Sequence, residues 1–183
     1  MKGVCKVCGC TMHNPCFNHH HGFCWWANKE EDLCSHCASE AISQDPNTIH
    51  CVQGLEFPVL TVHQPYALLL VTGKKKIKYR SWKLPEEYVG KRIFIHAGKG
   101  DGLFNRHFAD YTDFVTFGHI AYSRGLFGMI IGSVVFGESQ GPYNGILYGS
   151  ANKIYEWPVT DPIKLIDPLA NINGRQRIWK IKF

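Results

Sequence analysis

The sequence predicts an α+β protein in which a small sheet-rich domain with flanking helices follows a small metal-binding module. Residues 60–82 change from a short β-type run to a compact apolar helix, and then to a strand with alternating basic residues. Residues 92–97 and 126–136 are apolar strands, and the second contains glycines that permit the bends of a small β-barrel. Seven of the eight cysteines lie in residues 5–37, ahead of these elements.

The helix within residues 60–82 is predicted from its boundaries. Pro65 suits the first helical turn, where a missing N–H costs nothing. Residues 66–71 are apolar enough to form a buried helix. Gly73 fits the left-handed conformation that ends many helices.

The strand that follows has a basic face. Its period is two, so one side presents three basic residues and a tryptophan: Lys76, Lys78, Arg80 and Trp82. Such a face suits phosphate, and the tryptophan offers a stacking surface. A solvent-exposed edge strand protected by lysines gives the same pattern, so the charges alone leave both interpretations open.

The rest of the chain predicts further elements of the same domain. An apolar stripe predicts a helix over residues 103–120, and the Gly- and Asn-rich residues 138–150 predict a loop. Strands are expected over 154–159 and 178–183, with turns at Asp161-Pro162 and Asp167-Pro168.

Length and charge exclude some classes of protein. The 183 residues are enough for one ordinary domain plus a small module. No run approaches the about 20 apolar residues that span a bilayer, and the start MKGVCKVCGC lacks the apolar core of a signal peptide. We therefore expect a cytoplasmic protein without a membrane partner. The net charge of +5 permits a polyanionic partner without requiring one.

The cysteines are spaced as metal ligands. Cys5-x2-Cys8 and Cys34-x2-Cys37 are two knuckles, and such a pair makes a closed tetrahedral site that suits Zn²⁺. Clustered thiols in a chain without an export signal favour metal over disulfides. A module of about 40 residues cannot bury enough surface to fold alone, so metal would contribute most of its folding energy.

Three more cysteines, Cys10, Cys16 and Cys24, lie between the knuckles and need a fourth ligand. The pattern CKVCGCT…PC…HG-x-CWW…DLCSHC resembles a zinc-ribbon-like module of bacterial and phage proteins, in which a histidine precedes the glycine ahead of the Cys-Trp step. That residue is His21 here. The resemblance implies two structural zinc ions, one bound by the knuckles (Cys5, Cys8, Cys34, Cys37) and one by Cys10, Cys16, His21 and Cys24.

Other metal arrangements remain open at this stage. Pairings that exchange Cys8 and Cys10 fit, because the two are nearly adjacent. Cys51 could replace His21 as the fourth ligand. A single zinc ion with spare reduced thiols is a further alternative, and an Fe–S cluster fits paired knuckles less well.

The motifs of the larger domain resemble one family. Residues 60–67, LTVHQPYA, match a Leu-Ser-x-x-Gln-Pro-Trp-Ala signature, and Gly73, Lys75, Arg80 and Trp82 match a following Gly-x-Lys-x-x-Glu-x-Arg-x-Trp pattern. Lys78 replaces its acidic residue. Later segments also resemble the family's strands: 92–97, 128–135, 155–159 and 174–180. Together they resemble the ASCH (activating signal cointegrator homology) domain, a PUA-like β-barrel.

The resemblance implies three segments: a Cys-rich module over 1–40, a linker over 41–54 and an ASCH domain over 55–183. It implies a small basic cleft that recognises RNA or a modified nucleotide. Mapped here, the cleft would be lined by Gln64, Tyr66, Lys75, Lys78, Arg80, Trp82 and His96. Arg175 and Arg177 would add to its basic surface if they project into it.

Two alternative functions stand beside nucleic-acid binding. One ASCH branch resembles an amidohydrolase that deacylates N4-acetylcytidine through a Gly-x-Lys-x-x-Thr motif, in which Lys75 would be the catalytic lysine. Lys78 stands where the threonine nucleophile belongs, so the sequence favours binding over this catalysis. Another hydrolytic reaction, RNA cleavage included, stays open. The third possibility is a coactivator-like adaptor that binds proteins.

Overall fold

A computed structural model describes most of the chain: residues 2–45, 48–49, 55–100, 111–147 and 150–182. The chain divides into two compact units. The first comprises residues 1–57, 165–168 and 180–183, and the second comprises residues 58–164 and 169–179. None of the described helices is long and apolar enough to cross a bilayer.

The first unit consists of very short elements: strands β1 (Phe17–Asn18) and β2 (Gly22–Phe23), helices α1 (Ser35–Ala38) and α2 (Glu40–Ser43), and strand β3 (Thr48–Ile49). β1 pairs antiparallel with both β2 and β3. Buried Asn18 ties these strands together, because its amide donates to Asp45 at 2.9 Å and to the Thr48 hydroxyl at 2.8 Å. Part of the expected linker over 41–54 therefore belongs to this unit, while Cys51 lies outside the described residues.

A seven-stranded sheet contains the remaining strands: β4 (Glu56–Val62), β5 (Ile77–Arg80), β6 (Arg92–Ala97), β7 (Met129–Phe136), β8 (Gln140–Leu147), β9 (Ser150–Leu169) and β10 (Ile178–Lys182). Their order is β10-β4-β6-β7-β9-β5, and β8 pairs with β9. β4 and β6 are parallel, whereas β6, β7 and β9 are successively antiparallel. Two helices, α3 (Tyr66–Val71) and α4 (Tyr111–Ser123), accompany the sheet.

The α+β class is confirmed, but the sheet is open. Within the described residues β5, β8 and β10 each pair with a single strand and are edges, whereas the resemblance implied a closed barrel. The guanidinium of Arg80 on β5 donates to the Thr61 carbonyl oxygen on β4 at 3.1 Å. A side chain, rather than a backbone ladder, thus connects these strands, and this leaves space between them.

Helix α3 is as the sequence predicted. It spans Tyr66–Val71, and its last five residues are buried. Gly73 has a φ of +73°, which confirms the left-handed stop. The core beside the helix includes the fully buried Trp157, whose indole N–H donates to the Trp82 carbonyl oxygen at 3.2 Å.

Two expectations about the second half of the domain are wrong. Residues 138–150 were expected to form a loop but contain β8, which gains its partners from β9. The Asp161-Pro162 and Asp167-Pro168 turns lie inside β9. β7 residues Ser133 and Val135 pair with Ile163 and Thr160, so β9 holds an extra residue there. Such a bulge accommodates proline within a strand.

The helix expected over 103–120 is observed as α4 from residue 111 to residue 123. Residues 101–110 lie outside the described part of the chain.

Candidate functional site

A cavity of about 1060 Å³ lies in the second unit, where β4 and β5 are separated. Its wall is formed by the end of β4, by β5 and the turn after it, by the end of β6, and by residues 173–177. Five cationic side chains line it: Lys78, Arg80, Lys99, Arg175 and Arg177. Its described lining contains no aspartate or glutamate. The cavity is therefore an electropositive site in which an anion would be attracted from every side.

Lys78 is the most unusual of these cations, because it is only 5% exposed. Burial, followed by the like charges of Arg80 and Lys75, holds the pKa of Lys78 well below its ordinary value. Its ammonium lies 5.6 Å from the centre of the Tyr66 ring. The alternation along β5 does place Lys78, Arg80 and Trp82 in one wall, but the wall is concave and the lysine is buried rather than solvated.

Trp82 supplies a flat aromatic surface in the same wall. One side of its ring is fixed by an edge-on contact with Trp157, with ring centres 4.5 Å apart. The exposed Arg177 guanidinium lies 5.8 Å from the Trp82 ring centre. A planar base could stack on the Trp82 ring, either by displacing the guanidinium or by inserting between the guanidinium and the ring.

His96 is a buried histidine behind the cavity wall. It is 1% exposed, and its Nε2 lies 3.1 Å from the Ile172 carbonyl oxygen. A carbonyl can only accept, so Nε2 carries the proton and Nδ1 of the neutral ring has the free lone pair. Nδ1 is buried and has no hydrogen-bond partner among the described residues. Burial, followed by the charge of Lys99, lowers the pKa of His96 and favours this neutral form.

Local backbone features position the histidine. The β6–β7 pairing shifts register between Ile95 and His96, which re-aims the side chain at the end of the strand. Gly174 closes over the ring, since a Cβ there would lie 2.7 Å from Nδ1. The segment that carries Gly174 can lie this close to the imidazole only because a glycine has no Cβ.

Two of the residues assigned to the cleft from the sequence lie outside the cavity lining. The Gln64 amide donates to the Leu126 carbonyl oxygen at 2.8 Å and accepts from the Leu68 N–H at 3.1 Å, so it joins helix α3 to the segment after helix α4. The Lys75 ammonium lies 5.5 Å and 5.1 Å from the ring centres of Tyr66 and Tyr79, respectively. The structure brings the other five together: Tyr66, Lys78, Arg80, Trp82 and His96.

Sequence reasoning missed part of the cavity wall. The Lys99 ammonium donates to the Asn173 side-chain oxygen at 3.3 Å, which joins the loop after β6 to the segment before β10. The position of Lys99 in a Gly-Lys-Gly loop directly after a strand was an available signal, because such loops often carry binding residues. No local signal identifies Asn173 or Gly174.

The first unit contains a second candidate site, formed by cysteines. All seven described cysteines are free thiols. Two groups of four have sulfur atoms within 4.8 Å of one another: Cys5, Cys8, Cys10 and Cys34, and Cys10, Cys16, Cys24 and Cys34. These groups could hold metal ions.

The donor chemistry fits a metal that binds thiolates. Burial alone would raise the pKa of Cys5, but backbone N–H groups, among them that of Cys34 at 3.4 Å, outweigh it and lower the pKa to about 6. The Cys16 thiol and then the Cys16 backbone N–H, 3.2 Å from the Cys24 sulfur, lower the pKa of Cys24 to about 6. Burial instead raises the pKa of Cys10 and of Cys34, so these two thiols need a bound metal ion to become thiolates, the form that metal ions bind.

The observed groups differ from the predicted ligand sets. Cys10 lies with Cys5 and Cys8, and neither group contains Cys37 or His21. The His21 backbone N–H donates to the Asn18 side-chain oxygen at 3.1 Å, in the turn between β1 and β2. Cys37 adjoins the cluster: burial and then contact with the Cys8 and Cys34 thiols raise its pKa.

Similarity to known proteins was found among solved structures. No protein-family model matches the chain, and no curated protein matches it. A mutant of the ZmASCH protein from Zymomonas mobilis is similar in structure, with a TM-score of 0.41 and 15% sequence identity. The match covers 68% of this chain and 89% of that one.

Proposed function

We propose that this protein binds nucleic acid, and RNA or a modified nucleotide in particular, through the basic cavity, and that structural zinc holds its cysteine module together. The observation that supports this most strongly is the buried Lys78 in a cavity whose described lining has five cations and no carboxylate.

The charge of Lys78 explains why the ligand should be anionic. Burial, and then the neighbouring charges of Arg80 and Lys75, make its protonated form unfavourable. A phosphate group would supply the missing negative charge and accept charge-assisted hydrogen bonds from Lys78 and Arg80. The phosphate charge would then offset the cost of burying the Lys78 ammonium.

The other walls fit the base of a nucleotide. Trp82 offers a face on which a base can stack. The cavity volume of about 1060 Å³ is at the upper end for small-molecule sites, so it has room for a nucleotide and bridging water. The resemblance of the motifs to the ASCH family agrees with this ligand class.

The proposal is of binding without a catalytic step. Lys75, the lysine of the amidohydrolase motif, contacts two tyrosine rings and is not part of the described lining. Lys78 occupies the position of the nucleophile in that motif.

The test is a titration of labelled single-stranded RNA and of DNA of the same sequence against the purified chain at several salt concentrations. With three to five phosphate contacts, log K should fall with log salt with a slope of about −2 to −3.5. Lys78→Met and Arg177→Met should each reduce the steepness of that slope by about 0.7.

Lys83→Met is the matched control. Lys83 is exposed, lies next to Trp82 in sequence and pairs with Glu86 at 3.7 Å, but does not line the cavity. Its loss should leave the salt slope within error. Equal effects of Lys78→Met and Lys83→Met, or no binding of either nucleic acid or of free nucleotides at low salt, would overturn the proposal.

For the cysteine module we propose two Zn²⁺ ions with structural roles. Each sulfur group offers four thiolates, which completes a tetrahedron and leaves no position for a reacting water. Elemental analysis of the purified chain should find two zinc ions per molecule. If elemental analysis finds iron and the protein shows a visible charge-transfer band, the module holds an Fe–S cluster and the zinc assignment is wrong.

A further inference from the structure

We propose that the two metal ions form a single thiolate-bridged cluster, in which Cys10 and Cys34 each bind both ions. This inference rests on the zinc assignment above and is independent of the nucleic-acid site. It differs from two separate zinc sites, the arrangement that the sequence implied.

The sharing of sulfurs is a direct consequence of the observed groups. Each group has four sulfurs, and Cys10 and Cys34 belong to both. Six cysteines therefore supply eight metal–sulfur bonds, four from terminal thiolates and four from the two shared ones. Both ions reach the four-coordination that structural zinc adopts.

The sulfur distances within each group agree with this arrangement. A zinc–sulfur bond of about 2.3 Å gives a tetrahedron whose sulfurs are about 3.8 Å apart. Within the first group Cys8 and Cys34 are 3.9 Å apart, and within the second Cys10 and Cys24 are 3.8 Å apart. The sulfurs of Cys8 and Cys16, which bind different ions in this arrangement, are 3.4 Å apart and must separate when both ions bind.

The ligands among the described residues are sufficient for sharing. Six of the seven described cysteines complete both ions, so no histidine is needed and Cys37 remains as a thiol beside the cluster. His21 belongs to neither group, and Cys51 lies outside the described residues.

Charge points the same way. Two divalent ions with six thiolates have a net charge of about −2, against about −3 with the seven thiolates and one histidine that the sequence implied. The lower charge suits this module, because the nearby Lys6 is already paired with Asp32 at 3.5 Å.

The decisive experiment is cadmium-113 NMR on the intact chain reconstituted with that isotope. A shared sulfur transmits scalar coupling between the two metal nuclei, so two mutually coupled resonances are expected. Two resonances without mutual coupling would overturn the bridged cluster while keeping the two-metal assignment. One resonance, or none, would overturn the metal count on which the inference rests.

Metal stoichiometry of variants gives an independent readout. Cys10→Ser should lower the content of both ions, whereas Cys16→Ser should affect one ion. Cys37→Ser is the control and should retain two ions, because Cys37 lies outside both groups. Loss of one ion from Cys37→Ser would instead support separate sites built on the paired knuckles. If Cys10→Ser does not fold, the NMR experiment on the unsubstituted chain still decides the question.

Discussion

Substituting alanine for Gly174 should distort the wall of the basic cavity. An added Cβ would lie 2.6 Å from Cε1 and 2.7 Å from Nδ1 of His96, and 3.0 Å from the Thr61 hydroxyl oxygen. The imidazole cannot retreat easily, because its Nε2 is bonded to the Ile172 carbonyl oxygen at 3.1 Å and its ring meets the Trp179 ring edge-on. The segment that carries Gly174 must therefore move outward.

The expected cost combines two opposing effects. Forcing an extra methyl group into a packed site costs about 1–3 kcal/mol. Replacing glycine by alanine restricts the unfolded chain and returns about 0.4–1 kcal/mol where the backbone permits it. Gly174 is not among the residues with positive φ, so this gain applies. A net loss of about 1–2 kcal/mol should appear in urea denaturation of the metal-loaded chain, together with weaker RNA binding.

A second glycine near a histidine ring provides the control, and a variant without the His96 ring tests the steric explanation. Gly100→Ala places a Cβ at an ordinary 3.7 Å from the His63 ring, so stability should change by less than about 0.5 kcal/mol. In a His96→Ala background, Gly174→Ala should lose most of its cost, because the ring it meets is gone. An equal cost in both backgrounds would refute the steric explanation.

Three further predictions concern titration and metal. Burial and neighbouring cations lower the pKa of Lys78 below its ordinary 10.5, so the unfolded chain binds this proton more tightly and stability should rise with pH up to about 10.5. In urea titrations, Lys78→Met should have a higher free energy of unfolding than the unsubstituted chain near pH 7. This difference should shrink towards pH 10.5, and a difference that stays constant with pH would contradict the prediction. Burial likewise lowers the pKa of His96 below 6.5, so stability should fall as the pH drops below about 6.5, and His96→Gln should show a smaller fall in acid denaturation. A strong chelator should change the fluorescence of Trp25 and Trp26, since the cysteine groups border both side chains; an unchanged spectrum after complete metal removal would argue against a structural metal.

Local sequence patterns were sufficient for several elements. Helix α3, the left-handed Gly73 and strand β6 were predicted with the bounds that the structure has. Each depends on residues within a few positions of one another: an apolar run, a proline at the start and a glycine at the end. The period of two along β5 likewise predicted that Lys78 and Arg80 share a face.

Patterns failed where a distant partner determines the structure. β8 is a strand only because β9 supplies its hydrogen bonds, and Pro162 and Pro168 of β9 lie where its pairing with β7 shifts register. Gln64 was read as a ligand-facing residue, but its partner Leu126 lies 62 positions away in the chain. The sharing of Cys10 and Cys34 between two sulfur groups is equally invisible in the spacing of the cysteines.

The cavity shows the same division most clearly. The composition and alternation of residues 76–82 were enough to predict a basic, aromatic face, because side chains alternate along any strand. That this face is concave, and that Lys78 is buried in it, depends on contacts across long stretches of chain: Ile172 with His96, 76 positions apart, and Trp179 with Thr61, 118 positions apart. Short-range sterics set the period of a strand, but only long-range packing brings separate segments together around a space.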